Sequence, residues 1–65
     1  MDTKQFRKAL AKLELSQGQV GKLFRVGKRT PGRWAQDQAR VPFTAAALLK
    51  LMLDGKITRD DLEAL

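Results

Sequence analysis

Residues 15–34, LSQGQVGKLFRVGKRTPGRW, decide the fold because two short helix patterns meet there across a turn. Ser16 and Gln19 have the spacing of a capping box, which predicts that a helix begins at Gln17. The helix has room for only about two turns before a glycine-containing segment, and a basic segment follows. The stretch therefore predicts a short helix, a tight turn and a basic helix.

The sequence allows two starts for the basic helix. If Gly27 is the N-cap, Lys28 and Arg29 lie in the first turn and Pro31 is the fourth helical residue. If Thr30 is the N-cap, Pro31 is the first helical residue, a position that proline favours. The residue before a proline disfavours helical backbone, which supports the second start. Both starts remain open from the residues alone.

Three further helix patterns flank this stretch. The first, over DTKQFRKALAKL, has apolar residues at spacings of three and four, with Asp2 or Thr3 as its cap. Another opens at Pro42 and ends at Asp54–Gly55. We expect its buried side to carry Leu48, Leu49 and Met52, with Leu51 nearby.

The last helix pattern begins after Thr58, which is expected to cap it. Asp60, Asp61 and Glu63 are expected near the positive end of this helix. No strand pattern or internal repeat is present. The sequence therefore predicts an all-α, compact bundle of five short helices that forms one domain over residues 1–65.

Composition narrows the function. The 65 residues include no cysteine and no histidine, which excludes disulfides, a Cys/His zinc site and a His-based or Cys-based catalytic set. We expect neither an enzyme nor a cofactor. The net charge is +6, and residues 17–40 alone carry +5. This local excess of positive charge is typical of a surface that binds a polyanion.

No segment has the pattern of a signal peptide, and the most apolar window, AAALLKLML, is too short to cross a bilayer. We therefore expect no membrane partner and a soluble, cytoplasmic protein. From the length of the chain we also expect no domain that binds a small-molecule effector.

The chain resembles the helix-turn-helix proteins of the Cro and phage-repressor type, the XRE family, from FRKALAKLELSQGQVGKLFRVGKRTPGRW through VPFTAAALLKLM. Members commonly open the second helix with glutamine, as at Gln17, and place a small residue where this chain has Gly21. Apolar residues match the family at Val20, Phe24, Val26 and Trp34. The resemblance implies a lambda-repressor-like DNA-binding domain with the helix-turn-helix at about residues 17–36, and it favours the Gly27 start.

The chain departs from the family pattern at three positions. Arg25 stands where glycine is usual, so either Arg25 adopts a left-handed conformation or the turn differs. Gly27 replaces the common serine or threonine cap, and Pro31 replaces a branched aliphatic residue.

The resemblance divides the candidate contacts with double-stranded DNA into two sets. An arginine fork matches the O6 and N7 acceptors of guanine, and a glycine on the same face allows close approach of the backbone. The candidates for base contact are Lys28, Arg29, Gly32, Arg33 and Gln36. The candidates for contact with the DNA backbone are Gln17, Lys22, Arg25, Thr30 and Arg40. Trp34 is expected in the core rather than on the DNA.

The function implied is a sequence-specific transcriptional repressor that binds an inverted-repeat operator as a homodimer. Small relatives include Cro-like proteins and autorepressors of phage or anti-CRISPR operons. The residues proposed for the dimer contact are Met52, Ile57, Leu62 and Leu65, which are equally suited to close the monomer core. Two alternatives remain: a protein-interaction module such as an antitoxin or adaptor, and an RNA-binding protein.

Overall fold

The computed structural model describes all 65 residues as a bundle of five helices without strands, which confirms the predicted all-α class. The helices are α1 (Thr3–Leu13), α2 (Gln17–Leu23), α3 (Thr30–Ala35), α4 (Phe43–Leu53) and α5 (Arg59–Glu63). Helix α1 packs against α3 and α4, while α2 packs against α3 and α5. None of the five combines the length and the apolar character that crossing a bilayer requires.

Three of the five helices begin with a reciprocal capping box. At α2, the amide of Gln19 donates to Ser16 Oγ at 3.1 Å and the amide of Ser16 donates to Gln19 Oε1 at 2.8 Å, as predicted. Helix α1 uses Asp2, not Thr3, as its cap. Thr58 caps α5 as predicted. The amides of the first helical turn have no carbonyl partner within the helix, and these side-chain bonds satisfy some of them. The bonds therefore fix where each of the three helices begins.

The core forms where α1, α3 and α4 meet. Phe6 and Trp34 pack edge to face with their ring centroids 5.7 Å apart. Trp34 is only 3% exposed, so its predicted place in the core is confirmed. Val20 and Leu49 are fully buried beside them.

Helices α4 and α5 differ in detail from the prediction. Pro42 has extended backbone and is the N-cap of α4, so the helix begins one residue later, at Phe43. Leu49 and Met52 are buried as expected, but Leu48 is only half-buried. The remaining core contacts of α4 come from two alanines, Ala45 and Ala46. Glu63 is the last residue of α5 and therefore lies far from its positive end.

Four helices end in a Schellman arrangement, in which a residue with left-handed backbone follows the helix. The left-handed residue is Gly55 after α4, but it is Glu14, Arg25 and Asp37 after the first three helices. Arg25 has φ +54°, which confirms the first of the two alternatives for this turn. The next amide, of Val26, donates back to Gly21 O at 3.1 Å. This bond closes α2 and turns the chain toward α3.

Helix α3 begins at neither predicted position. A start at Gly27 requires the amide of residue 31 to donate to Gly27 O, and proline has no amide hydrogen. Residues 27–30 instead form a turn in which the amide of Thr30 donates to Gly27 O at 3.0 Å. Arg29 is the N-cap, and its carbonyl accepts from the amide of Arg33 at 3.1 Å. Thr30 is therefore helical rather than a cap, and Pro31 is the second helical residue.

Candidate nucleic-acid interface

Side chains of α1 hold the C-terminal end of α3. Thr3 Oγ1 donates to the carbonyl of Trp34 at 3.0 Å, and Arg7 Nε donates to the carbonyl of Ala35 at 2.7 Å. Both carbonyls lie in the last turn, where no amide of the same helix follows to donate in the α-helical pattern. The positive charge of Arg7 is also favourable at the negative end of the helix dipole. Helix α3 has only six residues, too few to be stable alone, so these bonds fix the surface that it presents.

The other end of α3 rests on Gly21. A Cβ atom at this position would lie 3.7 Å from Pro31 Cγ and 3.9 Å from Gly27 O, both ordinary contact distances. A small residue therefore lets α2 and α3 cross closely, as the family pattern implies, and the site has room for one methyl group more.

All five residues predicted to contact bases line one open depression of about 380 Å³ on the surface of α3. We call this depression the α3 groove. Its lining residues are Gln17, Lys28, Arg29, Gly32, Arg33, Gln36 and Gln38. No apolar residue and no carboxylate is among them. The α3 groove therefore combines three cations with three amide side chains and offers no opposing charge.

Gly32 lies beside Gln17, and both residues line the α3 groove. A Cβ atom at Gly32 would stand 3.3 Å from Gln17 Oε1, which is tighter than usual contact. The glycine thus allows the Gln17 side chain of α2 to lie against α3. This is a contact within the protein, in addition to the close approach of DNA predicted for Gly32.

Gln38 belongs to the α3 groove but was not among the predicted residues. Its amide side chain donates from Nε2 to Gln36 Oε1 at 3.1 Å. Left-handed backbone at Asp37 turns the chain back over α3, and the amide of Gln38 donates to Arg33 O at 2.8 Å. Left-handed backbone is uncommon for any residue other than glycine, although aspartate adopts it more often than most, and it leaves no strong sequence signal. Gln38 lies beyond the end of α3, so helical spacing did not predict its place in the α3 groove.

The residues predicted to contact the DNA backbone are divided among several surfaces. Gln17 lies in the α3 groove, and Thr30 is half-buried at the start of the helix. Lys22 and Arg25 line a separate cleft between α2 and α5, together with Arg59. Arg40 lines a third depression that contains the carboxylates of Asp2 and Asp37. Of these five residues, only Gln17 lines the α3 groove.

The predicted dimer residues require a correction. Met52 is 8% exposed and Leu62 is 6% exposed, so both close the monomer core and offer almost no surface to a second chain. Ile57 is half-buried, and only Leu65, at 81%, is widely exposed. Another apolar side chain is even more exposed: Phe43, at the start of α4, at 84%.

Acidic residues do not gather into a group that could hold a metal ion. Comparison of the chain with models of protein families, with curated proteins and with solved structures finds no match. Function is therefore inferred from the chemistry of the α3 groove itself.

Proposed function

We propose that this protein is a sequence-specific, double-stranded DNA-binding transcriptional regulator that acts as a dimeric repressor. The observation that carries the proposal is the α3 groove, where Lys28, Arg29 and Arg33 lie together with no carboxylate among the lining residues. Three cations in so small an area attract a polyanion, and the adjacent amide side chains supply directional hydrogen bonds.

The shape of this surface suits the major groove of B-DNA. Helix α3 has six residues and is about 9 Å long, at 1.5 Å for each residue. The major groove is about 12 Å wide and accepts a helix of this kind. Gly32 has no side chain between the flanking cations, so the helix backbone can approach the base edges.

The chemistry of the α3 groove favours guanine. Arginine and lysine only donate hydrogen bonds, and guanine presents two acceptors, O6 and N7, in the major groove. Gln36 could also read adenine, because its Oε1 accepts only one bond, from Gln38, and keeps a second lone pair, while its Nε2 is a donor. The bases expected opposite the three cations are therefore guanines.

Repression requires only that the bound protein exclude the polymerase from a promoter. In the proposed function, two copies occupy an inverted repeat in the cytoplasm of a bacterial or phage-infected cell. The resemblance to the Cro and phage-repressor type supports a role as autorepressor of a phage or anti-CRISPR operon. An RNA-binding role is less well supported, because Phe6 and Trp34 are buried in the core and the exposed Phe43 is not among the residues that line the α3 groove.

The test begins with selection of duplexes from a random pool by the wild-type protein. We expect an inverted repeat with guanine in each half-site. Arg33→Ala should lower affinity for this duplex by about 1–3 kcal/mol and relax the preference at one base pair of each half-site. Lys56→Ala removes the same charge from an exposed position outside the α3 groove and serves as the control.

Two outcomes would contradict the proposal. The first is a selection that enriches no sequence. The second is an Arg33→Ala protein that binds the selected and random duplexes with the same proportional loss, because Arg33 would then contact only phosphates.

A further inference from the structure

Helix α4 presents an apolar stripe to solvent. Phe43 is 84% exposed, Leu51 is 36% exposed, and the half-buried Ala47 lies between them in sequence. The three residues are separated by four positions each, which places them along one face of a helix. We call them the α4 stripe. The only charged residue in α4 is Lys50, so the stripe is nearly neutral in a chain whose net charge is +6.

We propose that the α4 stripe is the contact between two copies of this chain, and that the copies assemble on DNA rather than in free solution. This inference rests on the proposed function, since it requires DNA with two half-sites. It assigns the contact of the proposed dimer to the α4 stripe of a second copy, rather than to Met52 and Leu62, which are buried.

The stripe is self-complementary. If two α4 helices cross in antiparallel fashion at Ala47, Phe43 of each copy meets Leu51 of the other, as a twofold axis requires. The small alanine at the centre lets the two helices approach closely. Two copies of a chain with net charge +6 repel each other as a whole. The neutral stripe adds no like charges to the contact between them.

The area of the stripe is too small for a stable free dimer. Helix α4 has eleven residues and is about 16 Å long, and a helix with its side chains is about 10 Å wide. Such a patch covers far less than the roughly 800 Å² that each partner buries in a stable complex. The contact is consequently weak between freely diffusing chains.

DNA can make this weak contact effective. Gln38 lines the α3 groove and Phe43 begins α4 shortly after it in the chain, so the two surfaces are joined by a short segment. The molecule measures 29 × 21 × 20 Å. If two copies in contact place their α3 helices one DNA turn apart, about 34 Å, both can bind neighbouring half-sites. Binding at neighbouring half-sites then raises the effective concentration of each copy for the other to about the millimolar range.

The test uses duplexes that carry one or two copies of the half-site selected by the wild-type protein. We expect the free protein to sediment as a monomer at micromolar concentration and to bind the two-site duplex cooperatively. Phe43→Ala should lose cooperativity by about tenfold or more, with unchanged affinity for the one-site duplex. Leu53→Ala is the control, because Leu53 is an exposed apolar residue of the same helix that lies outside the stripe.

The outcomes separate this inference from the proposed function. A stable dimer in free solution would overturn the inference, as would Phe43→Ala with wild-type cooperativity, in which case the stripe serves another partner. Selective binding to one-site duplex without cooperativity on two sites also overturns it, but leaves the proposed function intact. If no duplex is selected at all, the proposed function and this inference fail together.

Discussion

Replacement of Gly32 by leucine separates stability from DNA binding. A leucine Cβ would stand 3.3 Å from Gln17 Oε1, the tip of a flexible and exposed side chain. A rotamer change of this glutamine relieves the contact at a cost of about 0.5 kcal/mol. Against this cost, leucine has better helix propensity than glycine by roughly 0.5–0.8 kcal/mol. The net change in the free energy of unfolding should therefore be zero or slightly stabilising.

The same substitution should abolish specific binding. The leucine side chain would extend into the α3 groove, between the cations that are proposed to approach the bases. We expect a loss of at least about 100-fold in affinity for the selected duplex, equivalent to about 2.7 kcal/mol. Thermal unfolding and titration of labelled duplex measure the two effects on the same sample.

Gly21→Ala is the matched control, because it also replaces a helical glycine. Its Cβ atom would meet α3 only at ordinary contact distances and remain buried. It should stabilise the protein by up to about 1 kcal/mol and leave DNA affinity unchanged. A Gly32→Leu protein with full affinity for the selected duplex would show that the α3 groove does not face DNA.

Two further predictions concern stability. Trp34→Ala should cost about 3–5 kcal/mol, most of the stability of so small a domain, so circular dichroism should show loss of the fold; a normally melting variant would contradict the buried position of the indole. Glu14→Gly and Arg25→Gly should each raise the free energy of unfolding by about 1 kcal/mol in denaturant titration, since both residues have left-handed backbone that glycine adopts without strain. Lower stability in both variants would mean that the Glu14 and Arg25 side chains contribute more to stability than their left-handed backbone costs.

The parts of the fold that follow from local chemistry were predictable. The capping box of Ser16 and Gln19 and the cap at Thr58 depend on residues three positions apart, so the sequence contains the whole interaction. The inward position of Trp34 follows from helical spacing in the same way. The groove residues between Lys28 and Gln36 were also predictable because they share one helix and its immediate flank, and Gln17 joins them from α2.

The wrong predictions concern features that depend on a single backbone atom or on residues distant in the sequence. The start of α3 depends on the missing amide hydrogen of Pro31, which removes one hydrogen bond and shifts the first helical residue. Gln38 joins the α3 groove through a left-handed aspartate, a conformation that local propensity disfavours. The buried state of Met52 and Leu62 depends on how α4 and α5 pack, which an apolar pattern alone cannot distinguish from an interface.

The bonds from α1 to α3 determine how small a working fragment can be. Thr3 and Arg7 lie 31 and 28 residues before the carbonyls to which they donate. A peptide of residues 17–36 would keep most of the α3 groove in its sequence and lose both anchors, and a six-residue helix without anchors melts in water. The same bonds affect the interpretation of alanine scanning. Arg7→Ala should lower DNA affinity as the loss of a DNA-contacting residue would, although the Arg7 guanidinium donates to the carbonyl of Ala35. Helical content, not affinity, distinguishes the two causes.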